Sequence, residues 1–229
     1  MSLKRRLSTP EGKKAYVRSL FATIADRYDL ITVVLSYGLD WRWKLRLVDL
    51  VHPDANARSL DLATGTGDIA FLLRRGCAHV IGLDVTQRMV ELARAKGSGA
   101  SSPAFLVGDM MTLPFADAQF DTVVSTLVLC TVSDQARALR ELRRVLKPGG
   151  RLLFIEHVRS EEPRLASWQD RLNGLNRVVA HGCNCNRSTL DTIRAAGFTI
   201  TSLERDQLHK APPFVRPLVV GTAALNTAR

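Results

Sequence analysis

Leu60-Asp61-Leu62-Ala63-Thr64-Gly65-Thr66-Gly67-Asp68 decides the fold. Ser59–Ala63 is a short apolar run with the pattern of a strand, and Ile69–Arg75 has the pattern of a helix. Gly65 and Gly67 therefore fall in the turn between them, where a missing side chain lets the backbone bend sharply and approach a ligand. Ala63 stands where a dinucleotide fingerprint would have its first glycine, and no Gly-Lys-Ser/Thr follows to make a phosphate loop. Alone, the turn serves either a ligand or strand–helix packing.

Working outward, the strand–helix alternation continues. Val80–Val85 reads as a second strand, with Asp84 near its end, 17 residues beyond Gly67. An acid there suits two ribose hydroxyls, or else caps the next helix. Thr86 to Lys96 reads as that helix, with Met89, Leu92 and Ala93 inward and Gly97 as its stop. Phe105–Val107 is a third strand, followed by Gly108-Asp109-Met110, where Asp109 suits an exocyclic amine and Met110 the face of a ring. Asp121–Leu129 is a nearly all-apolar fourth strand, as expected of one buried on both faces. Ser133 is the expected cap of a helix placing Ala136, Leu139, Leu142 and Leu146 inward, and Lys147-Pro148-Gly149-Gly150 ends it. Arg151–Ile155 is a fifth strand. Helices are expected up to about Ala180 and over Arg187–Ala196, and strands over Phe198–Leu203 and Val215–Ala224. This order implies an α/β, Rossmann-like fold: a seven-stranded, mainly parallel sheet with helices on both faces.

Two helical segments precede the sheet. Ser8 and Glu11 have capping-box spacing with Pro10 between them, opening a helix to about Asp26. Leu39–Val51 interleaves Trp41, Trp43, Leu45 and Leu47 with Arg42, Lys44 and Arg46. The division expected is a helical cap over residues 1–54 and an α/β domain over 55–229, the cap closing over the ligand edge and the sheet folding without residues 1–50.

Composition narrows the class. The chain has 229 residues, 46% of them apolar and 24% charged, which excludes bulk disorder. No apolar run reaches the roughly 18 residues of a spanning helix, and no apolar segment follows the charged start as in a secretory signal. Thirty-two Lys and Arg against 22 Asp and Glu give a net charge of +10. Lys4, Arg5, Arg6, Lys13 and Lys14 concentrate part of it at the start, as a solvated basic face or a contact with an anionic membrane. The alternative from another class is a basic nucleic-acid-binding protein that merely keeps the fold; the absence of an appended RNA-binding module or of a basic stripe interleaved with exposed aromatics weighs against it. Four cysteines do not make a disulfide scaffold, which points to a reduced, cytoplasmic chain. His181, Cys183 and Cys185 cluster but lack the second ligand pair of a zinc site, so no metal is expected.

The glycine turn, Asp84, Asp109-Met110 and Leu146-Lys147-Pro148-Gly149-Gly150-Arg151, in this order, resemble the class I S-adenosylmethionine-dependent methyltransferases over about residues 58–155. The resemblance implies S-adenosylmethionine as cofactor, S-adenosylhomocysteine as product, and a cofactor site of Asp61, Ala63, Gly65, Thr66, Gly67, Asp84, Val85, Asp109, Met110 and Thr126. Ile24-Ala25-Asp26-Arg27-Tyr28-Asp29, Leu35-Ser36-Tyr37-Gly38-Leu39 and Trp43-Lys44 resemble the menaquinone and ubiquinone C-methyltransferases, which implies ring-carbon methylation of a small hydrophobic acceptor. The sequence departs from that family at Thr32, in place of an asparagine, at Cys130-Thr131, in place of Arg-Asn, and in lacking a C-terminal Tyr-Leu-Pro. Phe154-Ile155-Glu156-His157-Val158, Gly182-Cys183-Asn184-Cys185-Asn186-Arg187 and Pro212-Pro213-Phe214 resemble methyltransferase-like thiol S-methyltransferases and bacterial phospholipid N-methyltransferases, which implies those acceptors as the alternative. An acceptor that loses a proton needs a base. The acceptor-side candidates are Tyr28, Asp29, His157 and His181; a loop cap and a strand-end histidine are the plainer roles for Asp29 and His157.

Overall fold

The computed structural model describes residues 9–36, 38–51, 54–97, 99, 101–180 and 182–226. Helix α1 (Pro10–Ile24) is capped by Thr9, whose Oγ1 accepts from the Gly12 N–H at 3.1 Å. Pro10 occupies the first helical turn, which puts the cap on Thr9; Ser8 lies outside the described residues. α1 stops at Ile24, a 3₁₀ turn covers Ala25–Arg27, and a helix absent from the sequence reading, α2 (Tyr28–Ser36), follows. Its β-branched run Ile31-Thr32-Val33-Val34 has weak helix propensity, which concealed it. Gly38, at φ +78°, turns the chain into α3 (Leu39–Asp49).

The sheet comprises β1 (Asp54–Leu62), β2 (Cys77–Asp84), β3 (Ala104–Val107), β4 (Phe120–Thr126), β5 (Leu146–His157), β6 (Phe198–Gln207) and β7 (Pro217–Leu225). Their spatial order is β3-β2-β1-β4-β5-β7-β6. All are parallel except β7, which runs antiparallel to both β5 and β6. The order reverses direction between β1 and β4, and crevices at such switch points, at the carboxyl ends of strands, bind ligands. The connecting helices are α4 (Asp68–Leu73), α5 (Gln87–Lys96), α6 (Gln135–Val145), α7 (Pro163–Val179) and α8 (Thr189–Ala195).

Alternate strand residues feed two cores. Leu153, Ile155 and Val124 pack with Ile69 and Val90 on one face; Leu152, Phe154 and Val123 pack with Leu139, Leu142 and Ile193 on the other. Burial on both faces explains the apolar runs. The first core also takes Trp43, 3% exposed, and Leu47, fully buried, so α3 is built into the sheet as well as into the cap.

Three of the boundaries that differ from the sequence reading shape the region after β4 and the start of β5. β4 ends at Thr126, not Leu129, because Leu127 adopts φ +54° and its N–H bonds back to the Ile155 carbonyl at 2.7 Å. Asp134, not Ser133, caps α6: its carboxylate accepts from the Arg137 N–H at 2.9 Å. The inward set is accordingly Ala138, Leu139, Leu142 and Val145, while Ala136 is exposed. Leu146 already belongs to β5, which takes in the Lys147–Gly150 segment and pairs with Phe120 through a register shift.

Candidate active site

The glycine turn closes over the end of β1. Ala63, Gly65 and Gly67 all have positive φ, at 52°, 56° and 89°. A Cβ on Gly67 would lie 2.9 Å from Phe105 Cζ, so this glycine is fixed by packing as well as by its backbone. Asp61, 1% exposed, accepts from Thr64 Oγ1 at 2.6 Å, and burial raises its carboxyl to about 7. Asp84 ends β2 under the turn; one oxygen accepts from the Gly65 N–H at 3.0 Å and the other from the Thr86 N–H at 2.8 Å. Its burial also raises its pKa, against the pull of those bonds.

The cap is tied onto this turn. A Cβ on Gly65 would touch Tyr28 Cε1 at 3.4 Å, so the half-buried ring covers the glycine, and Phe21 meets that ring edge-on at 5.8 Å. Burial lifts the phenol above its ordinary pKa. Thr66 Oγ1 donates to Asp29 at 2.5 Å and accepts from Lys96 Nζ at 2.9 Å; Lys96 also pairs with Asp29 at 2.7 Å and Asp68 at 2.9 Å. Lys44 of α3 reaches Asp68 at 2.9 Å and Asp40 at 3.2 Å. Burial opposes the Lys44 charge, but these carboxylates override it and hold its pKa above the ordinary value.

A cavity of about 90 Å³ adjoins the turn. Ala63, Leu83, Val85, Asp109 and Met110 form one wall; Val128, Thr131, Val132 and Ser133, after β4, form the other. α1 closes it with Lys13, Lys14 and Val17. Asp109 accepts from the Met111 N–H at 2.9 Å and pairs with Lys14. The wall after β4 is held by Glu156. This fully buried carboxylate accepts from the N–H groups of Val128, Leu129 and Cys130 at 3.1, 2.8 and 3.0 Å, and from Ser125 Oγ at 3.2 Å. Burial and the neighbouring Cys130 push its pKa well up, against the pull of the amides. Beneath Thr131, Cys183 Sγ donates to Cys130 Sγ at 3.5 Å.

The structure thus gathers Asp61, Ala63, Gly65, Thr66, Gly67, Asp84, Val85, Asp109 and Met110 at one sheet edge. Of these, Ala63, Val85, Asp109 and Met110 line the cavity, while Asp61, Gly65, Thr66, Gly67 and Asp84 form the turn beside it; Thr126 ends β4 at the same edge without lining the cavity. Of the acceptor-side candidates, Tyr28 and Asp29 lie on the turn. His157 is elsewhere, its Nδ1 3.3 Å from the Pro217 carbonyl in the β5–β7 seam. His181 lies outside the described residues. Lys13, grouped in the sequence with a basic start read as a solvated face or an anionic-membrane contact, instead lines the cavity and is 5% exposed. The periodicity of α1 was available, but the loops that bury Lys13 come from residues 131 and 182. Among the described residues no group of three His, Cys, Asp or Glu is placed to hold a metal.

The profile of the ubiE/COQ5 methyltransferase family matches residues 9–172. The chain belongs to this family. A demethylmenaquinone methyltransferase from Thermotoga maritima is 42% identical over 145 residues, 62% of each chain, so the chain spans about three fifths of that relative. The ubiquinone/menaquinone biosynthesis C-methyltransferase UbiE of Paracoccus denitrificans is 34% identical over 199 residues, 82% of this chain and 80% of that one. The solved structure of a SAM-dependent methyltransferase from Thermotoga maritima superposes with a TM-score of 0.67 at 23% identity, over 92% of this chain and all of that one. At that identity the likeness speaks for the fold. For this family member, the matched segment ends inside α7, so the loop bearing Cys183 and Cys185 lies beyond it.

Proposed function

We propose that this protein is an S-adenosylmethionine-dependent methyltransferase that methylates a ring carbon of a small quinol-type acceptor. The observation that carries the reading is the glycine turn with Asp84 bonded beneath it, adjoining an apolar cavity lined by Ala63, Val85, Asp109 and Met110. The donor set fits the cofactor. Asp84, beneath the turn, would offer its remaining carboxylate lone pairs to two hydroxyls; in the cavity Asp109 would be an acceptor for an exocyclic amine, and Val85 and Met110 apolar surface for a ring. The Gly65 and Gly67 backbone gives close approach. The bound cofactor supplies an electrophilic methyl group. The chain's own contribution is then positioning and exclusion of water: Tyr28 and α1 cover the turn, and the Val128–Ser133 wall shapes the acceptor side.

A peripheral contact with an anionic membrane belongs to the same reading. α2 exposes Leu30, Val33 and Val34, and α3 adds exposed Trp41 beside Arg42. No helix among the described residues is long and apolar enough to cross a membrane. The test is a transfer assay with isotopically labelled methyl donor against naphthoquinols, benzoquinols, thiols and phospholipid vesicles, with calorimetric cofactor binding free of nucleic acid. Carbon methylation of a quinol supports the reading. Transfer to thiols or phospholipids alone replaces the acceptor, and absent cofactor binding overturns the class. Equal binding to neutral and anionic vesicles removes the membrane contact.

A further inference from the structure

Ring-carbon methylation releases one proton per methyl gained, and the described sequence candidates for a base do not line the cavity. His157 is in the β5–β7 seam, Asp29 is committed to Thr66 and Lys96, and Tyr28 lies against Gly65. Among the described residues, the titratable groups that line the cavity are Lys13, Lys14 and Asp109, and the last two are paired with each other. The Lys13 ammonium makes no hydrogen bond or ion pair among the described residues, although the residue is 5% exposed. We propose that Lys13 is the catalytic base that takes the acceptor's hydroxyl proton; this rests on the quinol reading above.

The surroundings suit that role. Lys13 sits one turn inside α1, with its Cε 3.3 Å from where a Gly182 Cβ would stand, against the segment that also meets Thr131. Facing it are Arg187 and Arg177, the Cys130 and Cys183 thiols, and, across the cavity, Lys14 and Asp109. Burial first, then the two guanidiniums, lower its pKa to about 8, so a neutral amine is accessible near neutral pH. Proton and electrons balance as follows. Lys13 Nζ takes the hydroxyl proton, and the O–H pair moves into the ring, which uses a ring pair to form the new carbon–methyl bond. The pair of the broken sulfur–methyl bond stays on sulfur. The ring C–H proton then leaves to solvent, its bonding pair restores the ring, and the ammonium returns its proton to the oxygen.

The test compares wild type with Lys13→Met and Lys13→Arg. In the wild type, quinol methylation should rise with pH to a plateau through about 8. Both variants should lose about 100-fold or more in rate, the usual range for a general base, and lose that pH step, while a cooperative thermal transition and retained cofactor binding by calorimetry show that they fold. A second readout needs no turnover. 1-Naphthol bound to the wild type should show naphtholate absorbance at a pH where the free compound is protonated, and Lys13→Met should abolish it. A variant within about threefold of wild-type rate, with the same pH profile, overturns the base. If the wild type methylates no quinol, the function reading falls, and the naphthol titration alone decides Lys13: equal spectra in wild type and Lys13→Met overturn it.

Discussion

Both oxygens of Asp84 already hold backbone N–H groups, of Gly65 and Thr86, so this one side chain shapes the turn and offers its remaining lone pairs outward. Asp84→Ala should weaken cofactor binding by about 1–3 kcal/mol, the cost of leaving hydrogen-bond partners unpaired; unchanged affinity by calorimetry in a folded variant would exclude the ribose role. Gly65→Val should be worse, because valine resists φ +56° and its side chain meets Tyr28. Asp61 makes a pH prediction. Its carboxyl rises from 3.8 to about 7 on folding, so the folded state binds the extra proton between those values. Stability contributed by this group is therefore lost as pH rises through about 7, and Asp61→Asn should flatten the change in urea midpoint between pH 5 and pH 8. The reverse slope in the variant would assign the dependence elsewhere. These three residues were legible in sequence because each is a distinctive type at the end of an apolar run. Lys13 was not, because a lysine among Lys4, Arg5, Arg6 and Lys14 has the same local signature whether solvated or buried.

Among the elements, α2 is the one that local signals concealed and tertiary contacts fix. Asp29 on α2, Thr66 and Asp68 at the turn, Lys96 closing α5 and Lys44 on α3 form one charged chain between cap and sheet. Its members are partly exposed, so the chain is worth at most about 1 kcal/mol per pair and weakens with salt. Raising NaCl from about 0.05 to 0.5 M, where the screening length shortens severalfold, should speed amide exchange across α2 in the wild type and much less in an Asp29→Asn/Lys96→Met variant. Equal salt response in both would remove the ionic tie. The acceptor wall was equally invisible along the chain. Its shape depends on Glu156, 26 to 28 residues away, which gathers three successive amides after Leu127 turns left-handed.

At the scale of the molecule, the alternation of strands and helices carried the sheet, but not the role of the segment before it. The expectation that residues 1–50 detach from the sheet meets the burial of Trp43 and Leu47, whose loss would cost about 2–5 kcal/mol each by analogy with core truncations. A deletion through residue 36 should leave a cooperatively unfolding protein that binds cofactor weakly and transfers no methyl. A deletion through residue 50 should lose the cooperative transition in thermal denaturation. Full turnover of the shorter deletion would sink the lid. The sheet order has a consequence for biosynthesis. β7 is translated after β6 yet sits between β5 and β6, so neither has its neighbour while the ribosome is still making residues 208–216. Until β7 slots in, Leu153 and Ile155 lie on a strand with an open edge, the kind of surface that nascent-chain chaperones hold. Stalled chains ending before Pro217 should be more readily cleaved by protease within β5 than chains carrying β7.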